Sequence, residues 1–169
     1  MKLVYPSKKY LKSYRDAFIE YKENNVTHYF FDDENEVDIV KKYYNYRNNI
    51  GLTEDRVPQT TYWLIDKGEF VGEISIRHKL NDMLKKYGGH IGYGIRYSKW
   101  NQGYGTKMLA LALKKAKQMG FDKVMVTCDH DNIGSTKVIE NNNGKFQDIV
   151  EHERNGKKIL TKRYWISLE

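Results

Sequence analysis

Cysteine and proline are scarce in this chain of 169 residues, with one of the first, Cys128, and two of the second. A lone cysteine closes no internal disulfide and makes neither a zinc knuckle nor a CxxC redox pair, so metal and disulfide scaffolds are set aside. Few prolines, 40% hydrophobic residues and 30% charged residues argue against disorder and against a fibrous repeat. No apolar run approaches the roughly 20 residues that a bilayer span requires, and the opening MKLVYPSKKY has no apolar h-region. A membrane partner is therefore not expected, and cytoplasm is the expected compartment.

The length suits a single domain over residues 1–169 with a real core. A net charge of +7 and a pI near 9.2 favour polyanionic partners. The Lys and Arg are scattered and form no basic block, so a ligand carrying several phosphates is the better reading, and nucleic acid the weaker one.

Lys2 to Tyr5 reads as a strand. Ser7 then caps a helix with Leu11, Tyr14, Phe18 and Tyr21 at helical spacing. Asp33 and Glu36 resemble a capping box before a second helix with Val37, Val40, Tyr44 and Arg47 on one face. Thr60 to Asp66 and Phe70 to Arg77 form a hairpin about Lys67-Gly68, with Phe70, Gly72, Ile74 and Ile76 expected on one side. Lys79 to Gly89 interrupts, His90 to Tyr97 is another strand, and the most apolar helix follows from Gly105 to Met119, stopped by Gly120. Lys123 to Cys128 is a strand apolar enough for a sheet interior. Asn132 opens a helix to Asn141, and Asn155-Gly156, suited to a type I′ turn, joins two last strands. The order β-α-α-β-β-β-α-β-α-β-β predicts an α+β domain with a central mixed sheet flanked by helices.

Chemistry concentrates between His90 and Gly144. A strand runs into Gly103-Tyr104-Gly105 and then a helix, where unpaired N–H groups and the helix dipole attract phosphate. A Walker loop would need a Gly-Lys-Ser/Thr ending, and a dinucleotide fingerprint a third glycine; neither is present.

The segment Trp100-Asn101-Gln102-Gly103-Tyr104-Gly105 resembles the Arg/Gln-x-x-Gly-x-Gly/Ala motif of the GNAT acetyltransferase superfamily, with Trp100 in place of Arg or Gln. Asn132-Ile133-Gly134-Ser135, followed by Gly144, is similar to that superfamily's second cofactor segment. Residues 76–81, 88–93 and Arg163-Tyr164-Trp165 resemble a bacterial subgroup of acetyltransferases. The resemblance implies an acetyl-CoA-dependent N-acetyltransferase with no metal, and acetyl-CoA in a V opened between two parallel central strands. It implies that Ile95, Arg96 and Tyr97 pair with the pantetheine arm, that the amides of Gln102, Gly103, Tyr104, Gly105 and Thr106 hold the pyrophosphate, and that Asn132 and Ser135 hold the arm near the thioester from the other side of the V.

Amine acetylation needs a base, because an alkylammonium near pKa ~10.4 is protonated at neutral pH. Glu73 and His90 are the candidates, with Asp129 or His130 acting through water as a further route. A strand-end amide at Ile95 or Arg96 can polarise the thioester carbonyl. Ile139 stands where many members carry an acidic Tyr, and Cys128 reads as a buried strand residue. The acceptor is expected to be an amine on a small molecule or peptide. Two other readings stay open, a non-catalytic CoA sensor and an RNA- or ribosome-associated module, as does a homodimer.

Overall fold

The computed structural model describes residues 1–26 and 38–168. Seven strands, β1 (Lys2–Val4), β2 (Gln59–Asp66), β3 (Glu69–Arg77), β4 (Ile91–Ile95), β5 (Lys123–Asp129), β6 (Lys145–Arg154) and β7 (Lys157–Ser167), form one sheet in the order β1-β2-β3-β4-β5-β7-β6. All neighbours are antiparallel except β4 and β5. Helices α1 (Leu11–Glu23), α2 (Ile39–Arg47), α3 (Tyr104–Gln118) and α4 (Ile133–Glu140) complete the order expected from the sequence.

The helices divide between the two faces of the sheet. Tyr14, Ala17, Phe18 and Tyr21 of α1 recur at i, i+3, i+4 and i+7, and with Ile39 and Tyr43 of α2 they bury Trp63, Ile65 and Phe70. On the other face Met108, Leu109, Ala112 and Ala116 of α3, with Ile139 of α4, cover Leu64, Ile74, Ile76, Val124 and Val126. The hairpin turn at Asn155 and Gly156 takes φ of 52° and 72°, both left-handed, as a type I′ turn requires.

Two expectations are corrected. Phe70 does not share a side with Ile74 and Ile76. A bulge pairs Leu64 with Gly72 but Ile65 with Phe70, and the extra residue, Val71, turns Phe70 to the α1 face. In α2 the buried residues are Ile39 and Tyr43, whereas Tyr44 stays exposed beside the Arg47 guanidinium, 5.5 Å from its ring centroid. The cap here is Asp38, whose Oδ1 accepts from the Lys41 N–H at 3.0 Å. The Asp33 and Glu36 capping box and Val37 lie outside the described residues.

Candidate functional site

The sheet comes apart at its centre. Among the described residues β4 and β5 share one register pair, Ile91 with Val126, and diverge beyond it. The Arg77 N–H bonds the His90 carbonyl and the Arg96 N–H bonds the Val71 carbonyl, both at 2.8 Å, so even-numbered residues of β4 turn their main chain toward β3. Tyr93 and Ile95 therefore turn theirs toward the opening. The Ile95 carbonyl there accepts from the Tyr21 hydroxyl and from Trp100 Nε1 (2.7 Å).

Of the expected stretch Ile95, Arg96 and Tyr97, only Ile95 turns its main chain to the opening, and Tyr93 joins it there. The Arg96 N–H is spent on Val71, and Tyr97 begins a 3-10 turn, packing its ring 4.9 Å from that of Trp100. Arg96 is buried because its guanidinium reaches Glu20 Oε1 (2.7 Å from Nε, 2.5 Å from Nη2), Glu69 Oε1 (2.9 Å) and Ser13 Oγ (3.3 Å), tying α1 to the end of β4. Burial pulls the Glu20 carboxyl upward, yet the hydrogen bonds from Arg96 and Ser98 outweigh it and hold the group below its usual value.

The far wall of the opening is the start of α3. Asn101 and Gly103 both take left-handed φ, 58° and 76°, and the first helical bond is Lys107 N–H to the Gly103 carbonyl at 3.2 Å. The N–H groups of Tyr104, Gly105 and Thr106 precede that bond, and no side chain caps them. The two glycines serve different ends. A Cβ on Gly103 would meet nothing within 4 Å, so its conformation is what needs glycine. On Gly105 a Cβ would stand 2.9 Å from Val138 Cγ2, so this glycine lets α3 approach α4.

These parts enclose a cavity of about 870 Å³ lined by Gly94, Ile95, Gly103, Gly105, Asn132 and Ser135 among others, with Lys99, Lys137 and Arg154 supplying positive charge. Lys99 and Arg154 are paired, to Glu69 at 2.8 Å and to Asp129 at 2.6 Å. Tyr104 and Thr106 also line it. The Tyr104 hydroxyl donates to Asp66 Oδ2 at 2.9 Å, which pins the first turn of α3 to the end of β2. Gln102 points away, its Nε2 on the Ser98 carbonyl at 2.9 Å. Asn132 is the N-cap of α4, with Oδ1 accepting from the Ser135 N–H at 2.9 Å, and the Ser135 carbonyl receives the Tyr93 hydroxyl at 3.4 Å. Burial raises the pKa of both Tyr93 and Tyr21 well above the usual phenolic range.

Glu73 lies one strand away, register partner of Gly94, and is 1% exposed. It does not face solvent. Alternation with Ile74 and Ile76, which face α3, puts it on the α1 and α2 face, where its Oε2 accepts from the Tyr43 hydroxyl (2.7 Å) and Trp63 Nε1 (2.9 Å). It lines a second cavity of about 240 Å³ with Tyr43, Tyr46, Arg77 and Leu84.

The structure does not bring His90 to either cavity. It sits before β4, at the closed end of the V, where its Nδ1 accepts from the Met125 N–H at 2.9 Å and its ring meets Phe121 edge-on. Burial, then the nearby Arg77 charge, lowers its pKa. Cys128 is a core residue whose thiol pKa burial raises, and Ile139 is fully buried, so no hydroxyl comes from that position. Tyr21, Tyr43 and Arg77 reach the two cavities without any sequence signal, since their spacing reads as ordinary helix stripe and strand alternation. Among the described residues no group of three or more His, Cys, Asp or Glu could hold a metal ion, and no helix is long and apolar enough to cross a membrane.

The sequence profile described as "Acetyltransferase (GNAT) domain" matches residues 11–145. Among curated protein sequences none matches. Solved structures share the architecture. The microcin C7 self-immunity acetyltransferase MccE, in complex with acetyl-CoA and AMP, aligns with a TM-score of 0.73 at 16% identity, over 98% of this chain and 91% of its own. A Salmonella typhimurium acetyltransferase that modifies the N-terminal serine of ribosomal protein L7/L12 aligns at 0.72 and 16%, over 99% and 94%. An N-acetyltransferase from Staphylococcus aureus Mu50 aligns at 0.68 and 14%, over 99% and 98%. At such identities these likenesses speak for the fold.

Proposed function

The chain belongs to the GNAT acetyltransferase family, and on that premise we propose that it transfers acetyl from acetyl-CoA to a primary amine by direct attack in a ternary complex, with Glu73 taking the amine proton. The observation that carries this reading is the placement of Glu73 in its own cavity, one strand from the Gly94 and Ile95 wall of the larger cleft.

The residues of the cleft fit the donor. The N–H groups of Tyr104, Gly105 and Thr106 suit a pyrophosphate, with the α3 dipole adding to their attraction. The main chain of Tyr93 and Ile95 is disposed as a strand edge for an amide-bearing arm, and Asn132 and Ser135 line the opposite wall. Gln102 contributes at most its main chain, and Arg96 works from behind, holding the end of β4. Acetyl-CoA supplies an acyl carbonyl open to attack.

Deprotonation and charge stabilisation fall to the protein. Tyr43 and Trp63 fix the Glu73 carboxylate, which accepts a proton from the incoming ammonium and so frees its lone pair; as the C–N bond forms the C–S bond would break, and CoA would leave as a thiolate that takes up the second proton shed by the nitrogen. Of the two strand-end amides, that of Arg96 is occupied by Val71, which leaves the Ile95 N–H as the donor to the oxygen that gains negative charge. The test is Glu73→Gln. Acetyl-CoA should still raise the melting temperature, while turnover against a panel of amines falls by about 10² or more. Equal turnover of variant and wild type would remove Glu73 from this role.

A further inference from the structure

The smaller cavity holds a charge that acetyl transfer does not use. Arg77 ends β3 on the same side as Glu73 and lines the cavity with it. Its Nη1 donates to the carbonyls of Gly88 (2.8 Å) and Gly89 (3.0 Å). Burial brings its pKa down to about 10, and among the described residues no carboxylate forms an ion pair with it, Asp55 of the same wall lying 4.0 Å from Arg56. Two carbonyls could be held by a neutral donor, whereas a desolvated cation without a counter-charge is costly. Its remaining donors, Nε and Nη2, have no acceptor among the described residues. They are not sealed in, because the fully buried side-chain polar atom lacking a partner there is His152 Nδ1. Arg77 itself is part of the cavity wall.

We propose that this cavity binds the acceptor and selects amines that carry an oxyanion group, carboxylate or phosphonate-like, on a chain of several bonds: Arg77 takes the anion and Glu73 the amine. The proposal rests on the transferase reading above for the role of Glu73. Spacing sets the length. Residues four apart on one strand have Cα atoms about 13 Å apart, and the Arg77 guanidinium leans toward Gly88 and Gly89, away from the Gly94 end of the sheet. An α-amino acid, with its two charges adjacent, cannot meet both residues. An ω-amino acid or a short peptide can.

The test compares δ-aminovalerate, aminobutylphosphonate, pentylamine and cadaverine as acceptors for the full chain and for Arg77→Met and Arg77→Lys. Wild type should favour the two acids over pentylamine and cadaverine by about 10- to 100-fold in kcat/KM, the scale of charge-assisted hydrogen bonds. The ratio of the two acids identifies which oxyanion is preferred. In Arg77→Met that preference should collapse, mainly through KM, and Arg77→Lys should restore part of it; a melting-temperature rise with acetyl-CoA shows that each variant is folded. Calorimetry of δ-aminovalerate on the acetyl-CoA-loaded protein provides a readout free of turnover. Binding that Arg77→Met abolishes, without turnover, keeps the pocket and sinks the transferase role of Glu73. Turnover with no preference for acids, or an equal loss for all four amines in Arg77→Met, overturns the pocket and leaves the transferase reading standing.

Discussion

Arg96→Met keeps the aliphatic stem and removes the cation that joins α1 to the end of β4. Removing one partner from a fully buried ion pair costs ~3–5 kcal/mol, and an exposed pair is worth ~0–1 kcal/mol. The Arg96 side chain is 10% exposed, Glu20 22% and Glu69 39%. Glu69 would keep Lys99 at 2.8 Å, and Glu20 the Ser98 N–H at 3.2 Å. The expected loss is therefore about 2–3 kcal/mol, or roughly 5–10 °C in Tm at the ~2–4 °C per kcal/mol usual for chains of this size. The pH dependence has a definite sign. Glu20 has a folded pKa held below its ordinary 4.5, so it adds stability above that value and loses it as pH falls through the lower, folded one. The gap between wild type and variant, read from urea melts by circular dichroism, should narrow toward pH 3. A gap under about 0.5 kcal/mol at neutral pH, or one equally wide at pH 3, would refute the account of Arg96 as a paired, buried tie. The KM for acetyl-CoA should rise as well, since the pairing edge ends beside it.

Gly105→Ala should cost about 1–3 kcal/mol by overpacking against Val138, and Val138→Ala in the same chain should recover most of it; additive losses in the double-mutant cycle would show that the two do not meet. His90 and His78 both have pKa values lowered by burial. Stability should therefore hold above about pH 6.5 and fall below it as the unfolded chain takes up protons that the folded one refuses. His90→Gln should flatten that decline, and a pH profile identical to wild type would exclude His90 from it.

Element order was legible because local chemistry announces it: apolar stripes in α1 and α3, glycine stops, and the Asn155-Gly156 turn. The cleft was legible through Gly103 and Gly105, although the two do different work. The inserted Val71 was not visible, since a bulge is a relation between strands and leaves no local mark; it decides where Phe70 packs. The tie made by Arg96, which the resemblance implied only as a cofactor residue, was not legible because its partners, Glu20 and Glu69, lie 76 and 27 positions away. His90 sits at the entry of the right strand but at its closed end, a distinction that depends on which way β4 and β5 diverge. Arg77 ended an apolar strand pattern, and only the fold puts it beside Glu73 in one cavity.

The single register pair between β4 and β5 also bears on how the molecule comes apart. Strands β1 to β4 with α1 and α2, and strands β5 to β7, are each stitched by antiparallel ladders, while the seam between them is held at its closed end by Ile91 and Val126, the bonds between His90 and Met125 and that of Thr127 to the Tyr87 carbonyl, and by the side chains beneath α3. Without a ligand the two halves are expected to open separately, which hydrogen exchange would report as two cooperative units of unequal protection. A molecule hydrogen-bonded to Tyr93 and Ile95 on one side and held by α4 on the other restores the missing rungs. Occupancy would then fuse the halves into one unit, and the amides at the seam, among the quickest to exchange in the free sheet, would become as slow as those of its ladders.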